Sequence, residues 1–290
     1  MQTLGIDIGG TSVKVCLADF FSDDPAQFGR SNVYSNPSRG ELVDAMQTAM
    51  SRLSLDANHV QAVGMCLPGK RAADGESIEF SQNLSCLNGW RFSQMLKAVL
   101  GSEPAKFEIL SDVNASGQAY LHEKPCSGRA AIIAIGTGVG LGVFDNGQQV
   151  GIGNTGIGHL GMLDIGRLDT EDRYDNEGAR NTLESFLGAR AIEQRFVGLA
   201  SESCAEGIKS LSMDDPICQA LIRMLRIVHA MYTPDQIVLM GGIGSAFSDH
   251  QEQIYALVND GLTPLACSSW ALAFADHPYF AAIGAAKSCF

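Results

Sequence analysis

The chain has 290 residues, with 20 Lys and Arg against 32 Asp and Glu, for a net charge of −12 at pH 7. An acidic chain repels nucleic-acid backbones and anionic lipid unless it carries a local basic patch. None is evident, so neither nucleic acid nor membrane is expected as a partner. With 46% hydrophobic and 18% charged residues the chain is no disordered polymer, and at roughly 150 residues per domain its length predicts two domains.

The eight cysteines, at 16, 66, 86, 126, 204, 218, 267 and 289, form no C-x-x-C pair and lie in apolar segments. They read as reduced core thiols of a cytoplasmic protein. No basic stretch followed by an apolar run opens the chain, and no apolar run reaches about 18 residues, so neither a signal peptide nor a membrane span is expected.

In chain order, Thr3–Ile8 is an apolar strand ending in Gly9-Gly10, and alternation from Val13 to Ala18 predicts a second strand paired with it as a hairpin. A short third strand is predicted near Asn32–Tyr34. Leu42, Met46, Ala49, Met50 and Leu53 recur at helical spacing. Val60–Leu67, stopped by Pro68-Gly69, predicts a buried strand. Phe92, Met95, Leu96 and Val99 mark a helix, Phe107–Leu110 a strand, and Val113–His122 another helix.

The order then restarts. Ala130–Ile135 is a strand ending in Gly136-Thr137-Gly138, Val139–Phe144 alternates, and Asp145-Asn146-Gly147 is a hairpin turn. Ile133-Ala134-Ile135-Gly136-Thr137-Gly138 repeats the pattern of Ile6-Asp7-Ile8-Gly9-Gly10-Thr11, an internal repeat about one domain apart. Helices are predicted at Thr182–Val197, Pro216–Tyr232, Ser248–Asn259 and Phe280–Ser288, alternating with strands at Gln236–Met240 and Ala271–Phe274. Such alternation implies parallel pairing with helices on both faces. Two lobes joined around the helix after Asp112, with a cleft between them, are expected.

The two Gly/Thr turns carry the first chemical signal. Glycine lets a ligand approach the backbone, and turn amides that face one way bind anions, with the Thr11 and Thr137 hydroxyls as further donors. Each turn alone is equally an ordinary hairpin turn; their repetition points to phosphate. No Gly-Lys-Ser/Thr motif occurs, and each turn leads into a strand rather than a helix, against both common nucleotide fingerprints. Asp7 suits a water-mediated Mg²⁺ contact or a turn cap. Gly241-Gly242-Ile243-Gly244-Ser245 suits contact with a flat base or ribose, or is a plain strand-to-helix turn. Asp112, between a strand and a helix, is a helix cap or a general base.

Asp7-Ile8-Gly9-Gly10-Thr11, Ser111-Asp112-Val113-Asn114-Ala115, Gly136-Thr137-Gly138-Val139-Gly140, Gly158-His159, Thr182-Leu183-Glu184-Ser185-Phe186 and Gly241-Gly242 follow one another along the chain. This ordered set resembles the ROK family (repressor, open reading frame, kinase) of the actin-like ATPase superfamily, over essentially the whole length. The resemblance implies an α/β fold with two lobes of the actin-like ATPase (ribonuclease H-like) type. Each lobe is a mixed sheet flanked by helices, and the active site lies in the interlobe cleft. The lobes are expected at 1–115 and 116–290, with a C-terminal helix at about 280–290 packing back on the first.

The resemblance further implies ATP-dependent phosphorylation of a hexose or N-acetylhexosamine hydroxyl, O6 being the expected acceptor. ATP and Mg²⁺ are implied as cofactors, and a homodimer is expected. Gly9, Gly10, Thr11, Gly136, Thr137 and Gly138 match the phosphate motifs, and Gly241 and Gly242 the adenosine motif. Asp112 matches the aspartate that takes the proton from the attacking hydroxyl, and also touches the sugar. Gly69, Asn83, Ser111, His159 and Glu184 match sugar-contacting positions. A sugar-sensing regulator, or a catalytically impaired ligand-binding protein of the same fold, is the alternative. Regulators of the family carry a helix-turn-helix domain before the kinase-like part, and with the first phosphate motif starting at Asp7 none is expected here.

Three departures stand out. The family's zinc motif Cys-x-Cys-Gly-x-x-Gly-Cys reads Asp175-Asn176-Glu177-Gly178-Ala179-Arg180-Asn181-Thr182, leaving His159 as one ligand where structural zinc needs four, so no structural zinc is expected. The usual Asn before the catalytic Asp is Ser111, and the Glu expected two residues before Gly158 is Gly156. Both changes remove groups that hydrogen-bond a sugar.

Overall fold

Strand propensity and glycine placement decide where each sheet begins and how tightly it is covered. The computed structural model describes residues 2–22, 24–54, 60, 62–152, 157–197, 201–266 and 269–290, apart from the side chains of 201–203. The chain divides into two compact units, one of residues 1–124, 151–156 and 278–290, the other of 125–150 and 157–277.

In the first unit β1 (Thr3–Ile8) pairs antiparallel with β2 (Val13–Ala18), and β2 with β3 (Gln27–Arg30). On its other side β1 pairs parallel with β4 (Ala62–Cys66), which pairs parallel with β7 (Lys106–Leu110), giving the order β3-β2-β1-β4-β7. A small separate ribbon joins β5 (Lys70–Arg71) to β6 (Ile78–Phe80). The third strand lies at Gln27–Arg30 and not near Asn32–Tyr34. The later segment is spent bonding the turn after β1 instead of the sheet edge.

Helix α1 (Arg39–Met50) starts on a Ser38/Glu41 capping box and buries Leu42, Met46, Ala49 and Met50. Helix α2 (Phe92–Leu100) buries Phe92, Met95, Leu96 and Val99, and stops at Gly101 in the left-handed region. These side chains and the inner faces of the strands form one apolar core.

Helix α3 (Asp112–Glu123) and the C-terminal helix (Phe280–Lys287) pack together on the other face. Three glycines permit this approach. A Cβ at Gly5 would collide with the Ala282 carbonyl, one at Gly64 with that of Ala285, and one at Gly284 with that of Ala115. Because α3 packs as a whole against the C-terminal helix, the first unit runs to Lys124 and does not stop at residue 115.

The second unit repeats the plan. β8 (Arg129–Ile135) pairs antiparallel with β9 (Val139–Asp145), β9 with β10 (Gln148–Gln149), and β8 pairs parallel with β11 (Gln236–Met240), itself parallel to β12 (Ala271–Ala275). The order β10-β9-β8-β11-β12 matches that of the first sheet. The β9–β10 turn has Asn146 and Gly147 both at positive φ, the geometry a two-residue hairpin demands.

The stretch predicted as one helix over Thr182–Val197 is two, α4 (Leu183–Leu187) and α5 (Ala189–Arg195). Gly188 between them is extended, with the Glu184 and Thr137 carbonyls where a side chain would stand. Helix α6 (Ser201–Lys209) was not anticipated. Helix α7 (Pro216–Tyr232) begins on the Asp215 cap with Pro216 in its first turn and ends at Thr233 in the left-handed region. Gly241–Ala246 is itself a short helix, α8, and the helix expected from Ser248 opens with a 3₁₀ turn before α9 (Gln251–Asp260). The core of this unit gathers around α7, with Leu221, Met224, Leu225 and Val228 fully buried.

Candidate active site

The carboxyl ends of parallel strands are where ligands bind in open α/β sheets. In the first unit the register aligns Asp7 of β1 with Cys66 of β4, and Cys66 with Leu110 of β7; Asp112 follows two residues beyond Leu110. Asp7 is buried, and Lys14 Nζ lies 3.9 Å from its carboxylate. Burial raises the Asp7 carboxyl from 3.8 to about 6, Lys14 opposes the rise, and Asp112 adds to it. Asp112 is open to solvent on one side, yet desolvation by the protein around it raises its carboxyl, against a hydrogen bond from the Val113 amide at 2.8 Å. The Cys66 thiol is raised by burial and by both carboxylates, so it stays protonated.

The α3 cap is Ser111, not Asp112. The Ser111 hydroxyl accepts from the Asn114 amide at 3.3 Å, and Asp112 is the first helical residue. That cap occupies a lone pair of Ser111 and leaves its proton free to donate.

The turn after β1 is held by its carbonyls. Gly9 N–H donates to Ser12 O at 3.1 Å, the Tyr34 hydroxyl donates to Gly9 O at 2.6 Å, and the Tyr34 amide donates to Thr11 O at 2.9 Å. The Gly10 and Thr11 amides find no partner among the described residues, and Thr11 is exposed. Asn83 stands beside this turn, its Cβ 3.7 Å from where a Gly10 Cβ would lie. Gly69 sits at φ +122°, where a Cβ would meet Phe80 O at 2.6 Å, so only glycine fits between the ribbon and the 81–84 turn. Tyr34 carried no sequence signal: it reaches the turn across 25 residues by tertiary contact alone.

In the second unit the turn after β8 is anchored in the same manner. Ala189 N–H donates to Gly136 O at 2.9 Å and Gly136 N–H to Gly138 O at 3.0 Å, while Thr137 is exposed and its amide has no partner among the described residues. Glu184 Oε2 accepts from the Val139 amide at 3.3 Å and lies 2.5 Å from where a Gly138 Cβ would stand. Burial raises the Glu184 carboxyl, the Val139 bond opposes this, and Asp175 and Glu177 add to the rise. His159, exposed, precedes a 3₁₀ turn in which Gly161 packs against Val139 O and Glu184. Gly241, at φ +81°, has Ile135 O where a Cβ would be, and Gly242 faces open space. The turn, Gly241, Gly242, Glu184 and His159 therefore gather at one end of the second sheet. Gly156 lies outside the described residues.

These donors fit a nucleotide and its cation. Unpartnered turn amides and hydroxyls in each unit suit phosphate oxygens, and a positive charge would relieve the mutual repulsion of Asp7 and Asp112. Among the described residues no three His, Cys, Asp or Glu side chains are placed to hold a metal alone. Mg²⁺ does not ask for that, because it is commonly held by one or two carboxylates together with phosphates. The 175–182 loop does not fit zinc. The Asp175 carboxylate already accepts three hydrogen bonds, one of them from Thr182, at positions where thiolates would be needed.

The fold is that of the actin-like ATPases. It matches a putative sugar kinase from Cytophaga hutchinsonii with a TM-score of 0.73 at 20% identity, over 99% of each chain. It also matches a ROK family transcriptional regulator, a homologue of the E. coli MLC protein, with a TM-score of 0.76 at 15% identity, over 99% of this chain and 78% of that one. The chain belongs to the ROK family, whose model it matches over residues 3–286. In sequence it is 24% identical to an N-acetylmannosamine kinase of Vibrio cholerae serotype O1, over 85% of each chain.

Proposed function

We propose that this chain is an ATP-dependent sugar kinase that phosphorylates a hydroxyl, O6, of a hexose or N-acetylhexosamine. The observation that carries the reading is Asp112, a solvent-accessible carboxylate with a raised pKa. It stands at the start of a helix, beside a buried acid and one strand from a phosphate-type turn. The kinship with an N-acetylmannosamine kinase supports the same reading.

Gly9, Gly10 and Thr11, with Gly136, Thr137 and Gly138, would hold the phosphates through amides and hydroxyls, while Gly241 and Gly242 accept the adenosine. Asp7, through water, would hold Mg²⁺, which when bound neutralises charge on the phosphates. Gly69, Asn83, Ser111, His159 and Glu184 would orient the sugar. Asp112 then accepts the proton of the sugar hydroxyl as that oxygen bonds to the γ-phosphorus and the bond to the ADP oxygen breaks. Phosphoryl transfer asks mainly for positioning and charge neutralisation, which these groups supply.

An ADP-release screen over hexoses and N-acetylhexosamines tests this. Sugar-dependent ADP formation is expected. Sugar binding without it would replace the reading with that of a catalytically impaired ligand-binding protein.

A further inference from the structure

We infer that Asp175 is a positioning residue for sugar binding: its carboxylate takes the place of a metal ion at the centre of the 175–182 loop and sets the place of Glu184. The inference rests on the kinase reading for the role of Glu184, though not for the geometry.

Asp175 is buried. Its Oδ1 accepts from the Glu177 and Ala179 amides, both at 2.9 Å, and its Oδ2 accepts from the Thr182 hydroxyl at 2.9 Å. Its own backbone closes the same loop, since Asp175 N–H donates to Ala179 O and Gly178 N–H to Asp175 O. One side chain thus gathers two backbone amides and the Thr182 hydroxyl, as a bound cation would gather ligands, but with donors in place of acceptors.

Thr182 passes the constraint on. Its oxygen donates to Asp175 and accepts from the Ser185 amide at 3.2 Å, so a single hydroxyl both closes the loop and caps α4. Glu184 lies in the first turn of α4 and reaches the Val139 amide just past the Thr137 turn. Asn181, held at φ +54°, donates to Asp172 Oδ1 and accepts from the Arg173 amide, which fixes the approach to Thr182 from the other side. Asp175, Glu184 and Thr137 line one cavity, so a shift of the loop moves Glu184 where a ligand would meet it.

The test uses the full chain carrying Asp175→Ala, Asp175→Asn, Thr182→Val or Thr182→Ser, assayed with a sugar the wild type turns over. Asp175→Ala and Thr182→Val are expected to raise the sugar KM by about tenfold to a hundredfold, the range for a group displaced by about an ångström, with the ATP KM nearly unchanged. Asp175→Asn keeps one carbonyl oxygen to accept from the Glu177 and Ala179 amides, with its NH2 donating to the Thr182 oxygen in place of accepting from it, and Thr182→Ser keeps the hydroxyl; both are expected to restore most of the loss. An unchanged sugar KM in Asp175→Ala overturns the inference. So does an equal rise in both KM values, a Thr182→Ser variant as impaired as Thr182→Val, or stoichiometric zinc whose removal raises the sugar KM of the wild type. Should the wild type phosphorylate no sugar, the kinase reading fails separately. Hydrogen exchange then decides: Glu177 and Ala179 amides as protected in Asp175→Ala as in the wild type would reject the assignment.

Discussion

Asp112 and Asp7 are both carboxylates at strand ends, but their surroundings differ. Solvent reaches Asp112, so a sugar hydroxyl can too; Asp7 is buried against Lys14. Asp112→Asn keeps the shape and removes the proposed base. It is expected to lower kcat by about 10²–10⁴-fold while calorimetry still detects sugar binding. For Asp7, the folded chain holds a proton between pH 3.8 and about 6 that the unfolded chain has released. Stability therefore falls as pH rises through that window, and the cost persists above it. Asp7→Asn is expected to be more stable than the wild type at pH 8, by about 1–3 kcal/mol, with the gap closing near pH 4. Urea denaturation at the two pH values checks this, and a variant less stable than the wild type at pH 8 would contradict it. At this scale the glycine turns and Asp112 were visible in the sequence because each sits at an abrupt end of an apolar run. Asp175 was visible only as a missing cysteine, and its three hydrogen bonds depend on a loop whose closure no local pattern announces.

Among the elements, the C-terminal helix shows how backbone contact substitutes for side-chain packing. Ala282 and Ala285 rest on Gly5 and Gly64 with no room for a methyl group. Gly64→Ala is expected to destabilise the chain by about 1–3 kcal/mol, as overpacking does, whereas Gly242→Ala, which faces open space, should stay within about 0.5 kcal/mol. Thermal melts of the two variants give the comparison, and equal melting temperatures would refute the packing argument. Helix α7 was legible almost to the residue because an Asp-Pro start and an unbroken apolar stripe reinforce each other. The break at Gly188 was not legible. Leu183–Arg195 reads as continuous helix, and what interrupts it is the bond from Ala189 to Gly136, a partner 53 positions away by number.

For the whole molecule, the repeated strand–turn–strand pattern announced two lobes, and the structure gives their sheets the same strand order, which places a glycine turn at the end of the central strand in each unit. Among the element boundaries that failed, those at β3 and α8 lie where tertiary partners choose between turn and regular structure. The family is fixed by the match over residues 3–286, while its kinases and its regulators share the fold, so activity must come from the site. The most direct measurement is phosphorus NMR of the wild-type chain with ATP, Mg²⁺ and each hexose or N-acetylhexosamine in turn. One sugar is expected to gain a phosphomonoester at O6, with one ADP formed per sugar phosphate and none in Asp112→Asn over the same time. ATP left intact with every sugar, or a product formed equally fast by Asp112→Asn, would contradict it.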